Sequence, residues 1–293
     1  MTITNARQTQ PSASEIVVLL QDARACLTGI SDTPRLDAEV LLAHVLRQSR
    51  SYLYTWPQRT LSCRQRSSFS ELLIRRLRGE PLAYLVGQRE FWSLPLWVTP
   101  ATLIPRPETE LLVELALERL PFEAPLPVAD LGTGSGAIAL AIACERPKTK
   151  IVATDISHMA LTVAKSNAQQ LAISNVVFRQ GNWCKPLANE SFTLITCNPP
   201  YLADNDPHLC RSGLHFEPTL ALLAGNDGLR EIYTIVPQAM AHLQPGGWLL
   251  LEHGYDQGEK VFALLQKNNF IEITQHQDAA NINRVSIGRR PEY

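Results

Sequence analysis

Asn198-Pro199-Pro200-Tyr201 is the segment of this chain whose residue types and spacing most narrowly define a chemistry. Two prolines remove the backbone N–H groups of positions 199 and 200, and the first holds Asn198 in an extended conformation. The segment therefore presents acceptors and few competing donors. The Asn198 side-chain carbonyl and the Pro199 backbone carbonyl can each accept one N–H of a planar amino group, while the Tyr201 ring lies against its conjugated system. A proline-rich loop capping a strand would account for Pro199-Pro200 but not for the flanking Asn and Tyr. At average residue frequencies a given four-residue string arises by chance in roughly one chain of this size per thousand, so the motif carries more weight than any other here.

A second constellation is Asp130-Leu131-Gly132-Thr133-Gly134-Ser135-Gly136-Ala137, which follows a strand-like run and opens a helical one. Glycines let a backbone approach a ligand closely at the carboxyl edge of an open α/β sheet. Taken alone, the spacing also satisfies the dinucleotide pattern with Ala137 in last place, so a nicotinamide or flavin site stays open on this motif. Asp155, about twenty residues on, ends the next strand-like run, where a carboxylate can accept both ribose hydroxyls of an adenosine-containing cofactor. Combined with the amino-group clamp, this makes sense for methyl transfer from S-adenosyl-L-methionine to a delocalised nitrogen. Positive charge then builds on that nitrogen, and acceptors aimed at it are worth more in the transition state than in the ground state. No general base is required, because the methylated, protonated amide nitrogen is a strong acid that can release its proton to water.

These residues need a frame. The spacing of Ile16, Leu19, Leu20, Ala23 and Leu27, then Leu36, Val40, Leu41 and Val45, predicts three or four helices before about residue 85. Gly29 and Gly79 stand where helices should stop, and Pro34 where one should start. Short β-prone pieces at 89–92 and 96–99 predict a hairpin linker. Beyond it, strand-like runs at 127–131, 150–155, 176–180, 192–197 and 247–252 alternate with helical ones, which argues for a parallel sheet wrapped by helices. The runs at 271–274 and 284–287 predict an antiparallel hairpin at the sheet edge. The expected organisation is a helical domain over 1–87, the linker over 88–105 and an α/β domain over 106–293.

Composition excludes several classes. The 293 residues, 45% hydrophobic, suffice for two domains whose cores hold without staples. The 27 basic and 28 acidic residues nearly cancel, so the chain as a whole is not a polyelectrolyte binder. Six widely spaced cysteines (Cys26, Cys63, Cys144, Cys184, Cys197, Cys210) form no C-x-x-C pair and read as reduced thiols. No apolar run approaches the ~20 residues of a membrane span. The polar start lacks a secretory pattern, so a cytoplasmic protein without membrane association is expected. Charge is uneven: positions 47–89 hold nine Arg against Glu71 and Glu80, about +7, leaving about −8 elsewhere. That stretch reads either as a solvated helical face or as a docking surface for an acidic macromolecule.

On these motifs the chain resembles the HemK/PrmC family, methyltransferases of a glutamine side-chain amide in peptide chain release factors. The likeness also includes Ile104-Pro105-Arg106-Pro107-Glu108-Thr109-Glu110, Phe216-Glu217-Pro218 and Gly225-Asn226-Asp227-Gly228-Leu229, and runs over almost the whole chain. It implies a class I S-adenosylmethionine-dependent methyltransferase fold, Rossmann-like with a mostly parallel seven-stranded sheet, behind a small N-terminal helical domain that helps hold the substrate. It further implies class 1 peptide chain release factors as partners, with the glutamine of their Gly-Gly-Gln tip entering the clamp of Asn198, Pro199 and Tyr201, and Pro200 stiffening the loop. Carried over residue by residue, it assigns the cofactor to Gly132, Thr133, Gly134, Ser135, Gly136, Asp155 and Asn198, with adenine at Asn182-Trp183. Relatives often carry Asp where this chain has Asn182, which keeps an acceptor oxygen, adds a donor and lacks the charge.

Two rivals accompany this reading: an amino-methyltransferase of nucleic acid, with adenine in the same clamp, and a non-catalytic module that binds release factors or ribosomes. Stable nucleic-acid binding is not expected, and a monomer is. In the linker motif, Pro107, Glu108 and Glu110 are what a helix start requires on dipole grounds, while Arg106 could also arrange a loop at the site. Phe91-Trp92 could wall the active site or pack between domains, and core packing is the favoured reading. His208, His215, Glu217 and Glu252 lie near the expected edge but are not assigned as acid or base, since the chemistry does not need one.

Overall fold

The structure, a computed structural model, describes residues 14–210 and 213–293. Contacts divide the chain after Val86 into two compact units.

The first unit is helical: α1 (Ile16–Leu27), α2 (Pro34–Leu46), α3 (Arg50–Thr55), α4 (Cys63–Leu77) and α5 (Leu82–Val86). Pro34 occupies the first turn of α2, and Ser62 opens α4 with a reciprocal capping box to Gln65. Among the described residues five helices form where three or four are expected, because α3 and α5 are too short to show a helical period. Ile16, Leu27, Leu41, Leu42, Leu53 and Phe69 make the core. Part of the Arg-rich stretch is used internally. Arg50 bonds buried Glu39 at 2.6 Å, Arg76 bonds buried Asp37 at 2.7 Å and Arg75 bonds Glu80 at 2.5 Å, whereas Arg64, Arg66 and Arg78 are exposed. Two of these carboxylates precede the stretch, so its local charge count overstates its free charge.

The second unit opens with an antiparallel hairpin, β1 (Gln88–Phe91) and β2 (Leu94–Trp97). Strand ends expected at Trp92 and Leu96 move, because Trp92 and Ser93 form a tight two-residue turn with φ of +52° and +59°. Such turns usually show Asn or Gly, so Trp-Ser gave no signal. The turn is held by Trp92 N–H donating to Glu110 at 2.8 Å and its indole N–H donating to Glu145 at 2.9 Å. Phe91 is in the core of this unit and Trp92 packs against it, as expected.

There follow α6 (Glu110–Arg119), entered through a 3₁₀ turn at Pro107–Thr109, then β3 (Pro127–Leu131), α7 (Ala137–Glu145), β4 (Lys150–Asp155), α8 (His158–Gln170), β5 (Val176–Gln180), β6 (Phe192–Cys197), α9 (Arg230–His242), β7 (Leu243–Glu252), α10 (Gly258–Lys267), β8 (Ile271–Gln277) and β9 (Asn283–Arg289). The strands form one seven-stranded sheet in the order β5-β4-β3-β6-β7-β9-β8. The first five are parallel, and β9 enters antiparallel between β7 and β8. Strand β7 begins four residues earlier than expected, running through Pro245-Gly246-Gly247 with a register irregularity against β6. Chain order reverses between β3 and β6, which opens a crevice at their carboxyl ends, the position where such sheets bind ligands. Among the described residues no helix is long and apolar enough to cross a membrane, and the five described cysteines are free. The polar start and the side chains of His208 and Cys210 lie outside the described residues.

Candidate functional site

The crevice holds two adjoining cavities of about 230 and 250 Å³. Gly132, Gly134, Asp155, Asn182, Trp183, Asn198 and Pro200 line the first. Arg106, Asn198, Pro199, Tyr201, Tyr255 and Arg284 are among those lining the second. The Asn-Pro-Pro-Tyr segment is thus the wall between them: an extended backbone alternates its side chains, so Pro200 meets one cavity while Pro199 and Tyr201 meet the other. Asn198, where the chain leaves β6, borders both.

The glycine loop connects β3 to α7. Asp155, at the end of the neighbouring β4, accepts from Gly134 N–H at 2.9 Å and from Ser157 N–H at 2.8 Å. These bonds aim its carboxylate into the crevice, while burial raises its pKa above the ordinary aspartate value. Gly134 has φ +57°, and a Cβ there would project into open space, so its backbone stays open to a ligand in the cavity it lines. Beneath Gly132 lies the Trp183 ring, held by its indole N–H donating to Glu231 Oε2 at 3.0 Å.

Thr133, Ser135 and Gly136 do not line the cavity. Thr133 and Ser135 are buried, the Thr133 N–H donates to Thr154 O, and the Ser135 carbonyl accepts from Asn167. Gly136 caps α7 with φ +86° and packs against Leu140 and Ala164. The loop therefore offers only alternate residues to the crevice and uses the others to tie strand to helix. Asp130 is fully buried, accepts from Thr196 at 2.9 Å and has its pKa pushed up to about 6 by desolvation.

Three supporting contacts join segments far apart in sequence. Arg106 pairs with Glu217 at 2.6 Å, and the other Glu217 oxygen accepts from Ile104 N–H at 3.0 Å. Glu217 is thus a tie between two of the family-like motifs, and Arg106 also lines the second cavity. Gln257 donates to the Tyr201 carbonyl at 3.0 Å and to Gly228 O at 3.2 Å while accepting from Gly254 N–H at 2.8 Å. Asn198 Nδ2 donates to Thr109 Oγ1 at 3.1 Å. Sequence reasoning named neither Gln257, Glu231 nor the role of Thr109, since a buried hydrogen-bond partner has no local pattern. Glu252 is also at this edge, fully buried, its pKa raised to about 7 by desolvation. The His215 and Phe216 rings lie 4.2 Å apart between centroids, tilted by 39°. Among the described residues no cluster of His, Cys, Asp and Glu is arranged to hold a metal ion.

Comparisons with known proteins agree with this architecture. Residues 18–87 match the PrmC N-terminal domain model and residues 108–211 the methyltransferase small domain model. The release factor glutamine methyltransferase of Coxiella burnetii is 52% identical over 90% of this chain and 95% of its own length. That of Escherichia coli K12 is 47% identical over 88% and 93%. The fold matches a Thermus thermophilus 16S rRNA N2 G1207 methyltransferase solved with AdoMet and guanosine, with TM-score 0.52 and 18% identity, covering 69% of this chain and 49% of that one. A seven-stranded methyltransferase sheet follows a helical unit, the motif wall divides two cavities, and identity near 50% extends over nine-tenths of the sequence; the chain belongs to the release factor glutamine methyltransferase family.

Proposed function

We propose that this protein transfers a methyl group from S-adenosylmethionine to the side-chain amide nitrogen of the glutamine in the Gly-Gly-Gln motif of class 1 release factors. The observation that carries this reading is that Asn198 borders both cavities. One has a ribose-type carboxylate and an open glycine backbone, and the other is lined by Pro199 and Tyr201. The first suits the cofactor: Asp155 for the ribose hydroxyls, Gly132 and Gly134 for the methionine side, Asn182 and Trp183 for adenine. When bound there, the cofactor supplies an electrophilic methyl group.

The chain's own residues position the acceptor. Asn198 Oδ1 and the Pro199 carbonyl take one amide N–H each, and Tyr201 covers the amide plane. Burial keeps the Tyr201 phenol protonated, its pKa raised far above the ordinary value, so it serves as a surface and not as a base. Holding both reactants in one crevice replaces a bimolecular encounter. The helical unit over 1–87 would hold the release factor, the activity would reside in 106–293, and the protein would act in the cytoplasm as a monomer.

The test offers the protein methyl-labelled cofactor with an unmethylated release factor or with duplex DNA, followed by peptide mapping. Label is expected on the Gly-Gly-Gln glutamine, and label on DNA instead would overturn the reading. Asn198→Ala is expected to lose most turnover while folding normally, and near-wild-type turnover would contradict the clamp.

A further inference from the structure

Glu252 has no part in the reading above, yet its carboxylate is buried in the wall that carries Asn198. Strands β6 and β7 run parallel with Cys197 opposite Leu251, so Asn198, just past β6, stands beside Glu252, the last residue of β7. Thr109, buried at 3% exposure, lies against both. Asn198 Nδ2 donates to Thr109 Oγ1 at 3.1 Å, which leaves the Thr109 hydrogen for a second acceptor, and Thr109 and Asn198 both favour the ionised form of Glu252. Glu252 Oε2 is buried without a partner.

Direction is the important property of this chain of bonds. A hydroxyl has one hydrogen and an ionised carboxylate has none. With Glu252 as acceptor, the Thr109 hydrogen is committed to the carboxylate, and only lone pairs remain toward Asn198. The Asn198 amide must then turn its NH2 to Thr109, which leaves Oδ1 on the opposite side of the amide. The reverse orientation would set an NH2 donor against the substrate's own NH2 and place positive partial charge where positive charge develops.

We infer that Glu252 is a positioning residue which, through Thr109, fixes which end of the Asn198 amide faces the substrate. This rests on the clamp proposed for Asn198. The groups facing Glu252 are Glu108 and Thr109 on the entry to α6, Asn198, Cys197 and Tyr201 on and after β6, and Arg284 on β9.

The experiment compares kcat, the cofactor Kd by calorimetry and the melting temperature across four variants of the full chain. Glu252→Gln keeps the shape but carries a donor, so Thr109 is free to donate to Asn198 Oδ1. Its kcat is expected to fall at least tenfold at pH 8, with cofactor Kd within about twofold and melting temperature not lowered. Thr109→Ser keeps the hydroxyl and should retain most of kcat, whereas Thr109→Val should lose it. Glu252→Gln added to Thr109→Val should cost nothing further, since residues in one network are not additive. In the wild type, kcat should fall as pH drops through about 7, where a protonated Glu252 can donate, and that limb should be missing in Glu252→Gln. Wild-type kcat in Glu252→Gln, or equal kcat in the Ser and Val variants of Thr109, would overturn the inference. If Glu252→Gln fails to fold, the Thr109 pair decides. Should Asn198→Ala itself retain turnover, the clamp falls first; an inactive Asn198→Ala beside a fully active Glu252→Gln removes only the role of Glu252.

Discussion

Gly228 packs so closely on Tyr201 that a Cβ at position 228 would overlap the Tyr201 carbonyl oxygen and lie 2.6 Å from Gln257 Nε2. With φ at +68°, the position also favours glycine conformationally. The loop that carries Gly225-Asn226-Asp227-Gly228-Leu229 is therefore a backstop for the Asn-Pro-Pro-Tyr wall. Gly228→Ala should push that wall toward the second cavity and lower kcat at least tenfold. Cofactor affinity should change less than threefold, as calorimetry beside steady-state kinetics will show.

Gln257 satisfies the Tyr201 and Gly228 carbonyls and the Gly254 N–H from a single buried amide. Gln257→Leu leaves these groups without a partner at a cost of about 1–3 kcal/mol. Urea unfolding should report that loss, and kcat should fall with it. An unchanged unfolding midpoint would show that solvent replaces the amide.

Asp155 joins cofactor recognition to loop geometry, since its two oxygens already receive the Gly134 and Ser157 N–H groups. Asp155→Ala removes those acceptors together with the acceptor for the ribose hydroxyls. Hydrogen bonds to charged groups are worth about 1.5–3 kcal/mol each, so cofactor Kd should rise about 10- to 100-fold. Asp155→Asn should fall between that variant and the wild type by titration calorimetry.

Arg106 and Glu217 tie the linker to the loop before α9, with the Glu217 side chain 3% exposed. Arg106→Met strands a buried carboxylate and should cost about 1–3 kcal/mol, reduced from the fully buried case because Arg106 reaches solvent. Replacing Glu217 by Gln in the same chain should recover part of that loss. Two equally unstable variants in chemical denaturation would mean the pair contributes through packing alone.

Buried carboxylates also give stability a pH dependence. Desolvation raises the folded pKa of Glu252 to about 7 from 4.5, so its favourable contribution is complete below about 4.5 and lost as pH rises through 7. Asp130, raised to about 6 from 3.8, acts in the same direction. His253 acts oppositely: burial lowers its pKa, and the stability it brings is fully present above the unfolded value near 6.5 and is lost as pH falls from there through the lower folded value. The comparison of Glu252→Gln with wild type isolates the first contribution. The melting-temperature difference should grow in favour of the variant from pH 4.5 to 7 and level off above. A constant difference would place the ionisation of Glu252 outside this range.

The sheet, both motif loops and the helical unit were legible in the sequence because each is encoded locally. Period-two and period-3.6 runs, Pro34 at a helix start and the glycines after Leu131 act within a few residues of themselves. The wall of Asn198 to Tyr201 was legible for the same reason, since two prolines restrict their own backbone. Local rules missed what depends on partners elsewhere. Trp92-Ser93 forms its turn against Glu110 and Glu145, and Arg76 loses its free charge to Asp37, thirty-nine residues earlier. Thr133 and Ser135 belong to the glycine motif by sequence, yet the loop turns them into the protein. The identities and spacing of residues determined the chemistry this chain can carry. Only the tertiary structure decided which atoms face each other, because the bonds that set Asn198, Tyr201 and Trp183 come from Thr109, Gln257 and Glu231, and a hydrogen bond has direction only once both partners are in place.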